Sequence, residues 1–172
     1  INSLTAISDC LTRRKRGRKD VCVRYKLRRQ HQSDKNYANA IRFFDMLLKR
    51  AAGSGIKIAA QNCDWNNFVV SPREWEVVLG ELPELYIKFD ASHSYNRGGD
   101  YLAELSDWGK RVAHVHVKGT VHAGRSKVDD PPAGMDDINW RSLFAVLYSR
   151  GYDGDLSIEP HSAVWRGERG VK

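Results

Sequence analysis

Tyr86-Ile87-Lys88-Phe89-Asp90-Ala91-Ser92-His93 is a short apolar alternating run that ends abruptly in an acid, a hydroxyl and an imidazole. In a parallel sheet or barrel the carboxyl ends of the strands open onto the ligand site, so Asp90 at such a tip and His93 three residues on are both expected to face it. Two later runs end the same way. Ala113 to Lys118 carries His116 near its end, and Leu156 to Pro160 finishes on Glu159. A carboxylate, an imidazole and a second carboxylate thus arrive from three successive strand tips, and these are the oxygen and nitrogen donors that a divalent cation accepts.

Working outward from that stretch, Tyr37, Ile41, Phe44 and Leu48 recur at helical spacing between Asn36 and Arg50, and Gly53-Ser54-Gly55 stops the helix. Ile56 to Ala60 is an apolar run of the buried-strand type that exits into Gln61-Asn62-Cys63. Ser71-Pro72-Arg73-Glu74 is a capping box with proline at the first helical position, and Pro83 ends the helix it opens. After Asp90, Gly98-Gly99-Asp100 leads into a helix carrying Tyr101, Leu105 and Trp108. A long loop is expected from Gly119 to Asn139, of the length that functional lids or disordered segments have. Trp140 to Leu147 marks a helix closed by Gly151, and Asp155 to Glu159 the last strand. From Ile56 onward the order strand, helix, strand, helix, strand, helix, strand means a parallel sheet with crossover helices.

The 172 residues carry a formal charge of +7, but the charge is uneven. Residues 1–35 hold 11 Lys/Arg against 3 Asp/Glu, whereas the remainder holds 17 against 18. The basicity therefore belongs to one segment around Arg13-Arg14-Lys15-Arg16-Gly17-Arg18-Lys19, read as a solvated tail of open structure although Asp20 to Leu27 has strand content. A charge run alone gives only salt-sensitive, non-specific affinity, so a nucleic-acid partner is not expected. Three widely spaced cysteines, Cys10, Cys22 and Cys63, fit neither a disulfide framework nor a zinc ribbon. No run approaches the roughly 18 apolar residues of a membrane span and the first residues lack a signal-peptide core, so the chain reads as cytoplasmic.

Phe89-Asp90-Ala91-Ser92-His93, His114-Val115-His116-Val117-Lys118 and Gly151-Tyr152-Asp153-Gly154-Asp155-Leu156-Ser157-Ile158-Glu159-Pro160-His161, in that order, resemble the second half of the xylose isomerase-like TIM barrels, and more narrowly the sugar phosphate isomerases and epimerases. The resemblance covers about residues 36–172. It implies an α/β fold of TIM-barrel-type (β/α) units, the second half of a (β/α)8 barrel, since four strands cannot close one and a whole barrel needs about 250 residues. It also implies one divalent metal ion (Mn, Mg, Co or Zn) held by Asp90, His116 and Glu159. A fourth ligand position falls on Gln61, where the family has a glutamate. His93, Lys118 and Asn62 fall at substrate contacts, and Gly119 stands where an aspartate is common.

The reaction so implied is a metal-dependent isomerisation or epimerisation of a sugar or polyol, with Glu159 moving a proton next to a carbonyl. Gln61 cannot take a proton at neutral pH, though its amide oxygen can ligate. The alternatives are a non-catalytic remnant or binding module of the same fold and, further off, the fold's DNA-repair endonuclease branch, which needs more His and Asp/Glu ligands. Against the metal reading stands a blander one for Asp90, an N-cap of the next helix. His116 is expected to face the site and His114 the helix layer. Exposed apolar edges of a half barrel would favour self-association.

Overall fold

A computed structural model of the chain describes residues 14–15, 18–23, 34–65 and 67–165. Cys10 and part of the basic run lie outside them. The chain forms two compact units, residues 1–88 and 89–172.

In the first unit the short strand β1 (Arg14–Lys15) runs antiparallel to β2 (Arg18–Val23). Strand β2 is parallel to β3 (Ile56–Gln61), with Val21 opposite Ile58 and Val23 opposite Ala60. Part of the segment whose structure the sequence leaves open is therefore a strand of the sheet. Strand β3 is in turn parallel to β4 (Tyr86–Asp90), Ala59 facing Tyr86 and Gln61 facing Lys88. Helix α1 (Asp34–Ala51) packs against β3 and against α2 (Pro72–Glu81). The capping box read from the sequence starts α2: Ser71 N donates to Glu74 Oε2 at 3.0 Å, satisfying a helix-entry amide that would otherwise lack a partner. Phe44, Trp75, Val78, Leu79, Leu85 and Ile87 are fully buried and form this unit's core. At roughly 1.5–3 kcal/mol for each large apolar side chain withdrawn from water, burial on this scale is what fixes the strand faces.

The second unit begins within β4. Helices α3 (Ala91–Asn96) and α4 (Tyr101–Trp108) follow, then β5 (Val112–Val117), which pairs parallel with the last strand β8 (Leu156–Ile158). Helix α5 (Trp140–Ser149) packs on α4, and the Arg150 guanidinium donates to Ser106 Oγ at 2.8 Å between them. Phe89, Leu105, Val115, Leu143 and Leu147 are buried. The four strands read from Ile56 onward, β3, β4, β5 and β8, are those of a parallel α/β half-barrel.

The stretch expected as one long loop is more organised than that. Residues 121–129 are a hairpin, β6 (Val121–Ala123) against β7 (Ser126–Asp129), turning on Gly124 at φ 63°. A left-handed glycine at the first of two turn residues matches the twist of paired strands. The descending arm is tied down by Asp136, which accepts from Gly134 N at 2.9 Å, Trp140 Nε1 at 2.8 Å and Thr120 N at 3.3 Å. This seating explains Gly119: a Cβ there would lie 2.1 Å from the Pro131 carbonyl oxygen, so no side chain fits while the arm is in place.

Candidate metal centre

Three expected residues meet in the second unit. One donor atom each from Asp90, His116 and Glu159 lies within 4.8 Å of the others, the one group of three such side chains found among the described residues. Asp90 ends β4 and is wholly buried. Its Oδ1 caps α3, accepting from Ser92 N at 2.9 Å and Ser92 Oγ at 2.6 Å. The N-cap reading of Asp90 is thus realised with one oxygen, and the other, Oδ2, lies 3.2 Å from Lys118 Nζ.

His116 is buried near the end of β5, and its Nδ1 lies 2.7 Å from Glu159 Oε2. Glu159 follows β8 directly, and its backbone N–H continues the ladder to Val117 O at 3.2 Å. Burial opposes ionisation of Glu159. The hydrogen bond and charge of His116, with Lys118 and His161 beyond, outweigh burial and hold the carboxyl well below its ordinary range. His161 is exposed, yet its Nε2 stands 3.4 Å from Glu159 Oε1.

The residues expected at the substrate divide. Lys118 and His93 are both buried and meet each other, Lys118 Nζ to His93 Nε2 at 3.1 Å. The same Nε2 lies 3.6 Å from Asp90 Oδ2. Lys118 is thus held between Asp90 and His93. Gln61 and Asn62 belong to the first unit, where both are buried at the exit of β3; the Gln61 carbonyl accepts from Asn67 Nδ2 at 3.4 Å and Asn62 N donates to Lys88 O at 3.3 Å. His114 does not turn to the opposite side from His116. Residues two apart share a strand face, and the two rings stand edge to face with centroids 5.6 Å apart.

The donor set fits a divalent cation. Two carboxylates, Asp90 and Glu159, converge with one imidazole so that a donor atom of each lies within 4.8 Å of the others. That mixed oxygen and nitrogen set is one a divalent cation accepts.

Residues 6–172 match the family model described as xylose isomerase-like TIM barrel, and the chain belongs to that family. Among curated proteins it is similar to the uncharacterized protein YfiH of Bacillus subtilis (strain 168), 25% identical over 157 residues that cover 77% of this chain and 49% of that one. Among solved structures it resembles the D-allulose 3-epimerase from Methylomonas sp. in complex with D-allulose, with a TM-score of 0.66 at 21% identity over 84% of this chain and 50% of that one. It also resembles the IOLI protein with a bound zinc atom, with a TM-score of 0.67 at 16% identity over 84% and 54%. The chain spans about half the length of these relatives. Among the described residues no helix is long and apolar enough to cross a membrane.

Proposed function

We propose that the chain carries the metal-binding half of a sugar or polyol isomerase or epimerase, with Asp90, His116 and Glu159 as ligands. The observation that carries the reading is the convergence of these three donors beside Lys118 in one unit. The zinc of the IOLI protein and the D-allulose bound by the Methylomonas enzyme support it by family and fold.

The ion, when bound, would polarise a carbonyl and its neighbouring hydroxyl and so acidify the C–H between them. The chain's own part follows from its geometry. Glu159 is partly open to solvent at the edge of the three donors, and it is the residue assigned here to take that proton. Ser92 holds one oxygen of Asp90, and Lys118 lies 3.2 Å from the other. The proposal rests on the second unit alone and leaves Gln61 and Asn62 outside it.

The test is exchange of the carbon-bound hydrogen next to the carbonyl of D-allulose or D-fructose in deuterium oxide with Mn²⁺. Deuterium incorporation that is lost in Glu159→Gln supports the reading. Metal binding without exchange would favour a binding module of the same fold.

A further inference from the structure

A cavity of about 190 Å³ opens beside this centre, between the arm that follows β7 and the segment that follows β8. Glu159 and Lys118 are among its lining residues, so it adjoins the candidate ligands. Beside the polar Asp130 and Ser162, the rest of the lining is mainly apolar: Pro131, Pro132, Ala133, Ile158, Pro160 and Trp165. Complete small-molecule sites run to about 300–1,000 Å³, so this space suits part of a ligand.

Two features make the walls a fixed shape. The first is the seating of Pro131 against Gly119, which only a glycine permits. The second is a clasp between the two segments that line it. Ser162 Oγ donates to Asp129 Oδ2 at 2.6 Å and accepts from Val164 N at 3.0 Å and Trp165 N at 2.9 Å, tying the backbone of Trp165 to the hairpin. Ser162 is itself buried.

The charges around the cavity are equally specific. Asp130 and Glu159 both line it; Asp130 is paired with Lys127 Nζ at 2.6 Å, and among the described lining residues Lys118 is the cation, 3.2 Å from Asp90. A phosphate dianion placed there would meet these carboxylates, while both nearby ammonium groups are already committed, Lys127 to Asp130 and Lys118 to Asp90. An apolar C–H face would instead meet proline rings, an alanine methyl and an indole, surfaces that C–H groups contact without leaving polar atoms unpaired.

Building on the metal-centre reading, we propose that this cavity is the subsite for the end of the substrate remote from the metal, and that it selects a neutral compound with a C–H-rich end, such as a 6-deoxyketose, over its hydroxylated and phosphorylated counterparts. Trp165 and Ala133 are specificity-determining residues here, and Asp129 is a positioning residue acting through Ser162.

The experiment titrates the Mn²⁺-loaded chain with 6-deoxy-D-fructose, D-fructose and D-fructose 6-phosphate, which differ only at carbon 6, reading tryptophan emission and calorimetric heat. The expected order is 6-deoxyfructose over fructose by about fivefold or more, the cost of desolvating an unpaired hydroxyl, with the phosphate weakest. Trp165→Phe should remove most of the emission change while binding persists. Ala133→Glu should weaken 6-deoxyfructose at least tenfold, with Mn²⁺ affinity read in the same variant as the check that it is folded. Asp129→Asn should weaken 6-deoxyfructose and leave the order of the three unchanged. Tightest binding of the phosphate, or indifference to Ala133→Glu in a folded protein, overturns the subsite. Failure to bind Mn²⁺ instead overturns the metal reading; the same titration of the metal-free chain then decides the subsite separately, because the apolar walls contain none of the ligands.

Discussion

Gly119→Ala is the sharpest test of how the arm over the site is held. The added methyl would sit 2.1 Å from the Pro131 carbonyl oxygen, 3.1 Å from its carbonyl carbon and 3.0 Å from Asp136 Cβ. The first contact is more than an ångström inside a normal carbon–oxygen separation, and the opposing atom is backbone, so no rotamer change relieves it. Overpacking of this kind costs about 1–3 kcal/mol, and a backbone obstacle places this case toward the upper end. For a chain of this length each kcal/mol moves the thermal midpoint by about 2–4 °C, so a fall of roughly 5–10 °C is expected in far-ultraviolet circular dichroism. Gly80→Ala is the internal control. That glycine lies within α2 with nothing within 4 Å of the position a methyl would take, and helix propensity alone should raise stability by about 0.5–1 kcal/mol. An unchanged or raised midpoint for Gly119→Ala would refute the close seating of the arm, and with it the reason an aspartate is absent there.

Three further outcomes follow from the same contacts. Asp136→Ala removes an acceptor from three donors and should cost about 1–3 kcal/mol in urea unfolding, with the near-ultraviolet signal of Trp140 altered. Glu104 is pushed above its ordinary pKa by burial, which the Ser94 hydrogen bond and Arg97 only partly offset, so its ionised form is disfavoured by folding. The stability of Glu104→Gln relative to the natural protein should therefore rise as pH increases from 4 to 8; a flat difference would contradict this. Glu159 is shifted the other way, so its contribution is present above the unfolded carboxylate value near 4.5 and lost as pH falls below it. The natural chain should exceed Glu159→Gln in metal-free stability at pH 6, and the advantage should shrink toward pH 3.

Much of the fold was legible in the sequence because the signals were local and strong. The capping box at Ser71, the helical stripe through Phe44 and the apolar runs ending in Asp90 and Glu159 each carry their own physics, and the elements form where they point. The hairpin at residues 121–129 was harder, because its strands of three and four residues are too short to show alternation, although Gly124-Arg125 was a usable turn signal. Strand β2 was obscured by flanking basic residues, whose charge says nothing about backbone pairing. The Lys118 to Asp90 ion pair depends on two elements meeting in space, and the clasp of Ser162 on Asp129 joins side chains 33 residues apart. Neither contact has a local sequence signature. The placement of His114 needed only the two-residue period of a strand, applied correctly.

The most direct measurement is calorimetric titration of Mn²⁺ and Zn²⁺ into the purified chain, repeated with Asp90→Asn, His116→Gln and Glu159→Gln. The account expects one ion per chain, with each substitution weakening it at least tenfold while circular dichroism shows the fold retained. Absence of binding in the folded natural chain, or affinity unchanged by all three substitutions, would contradict a metal centre built from these strand tips.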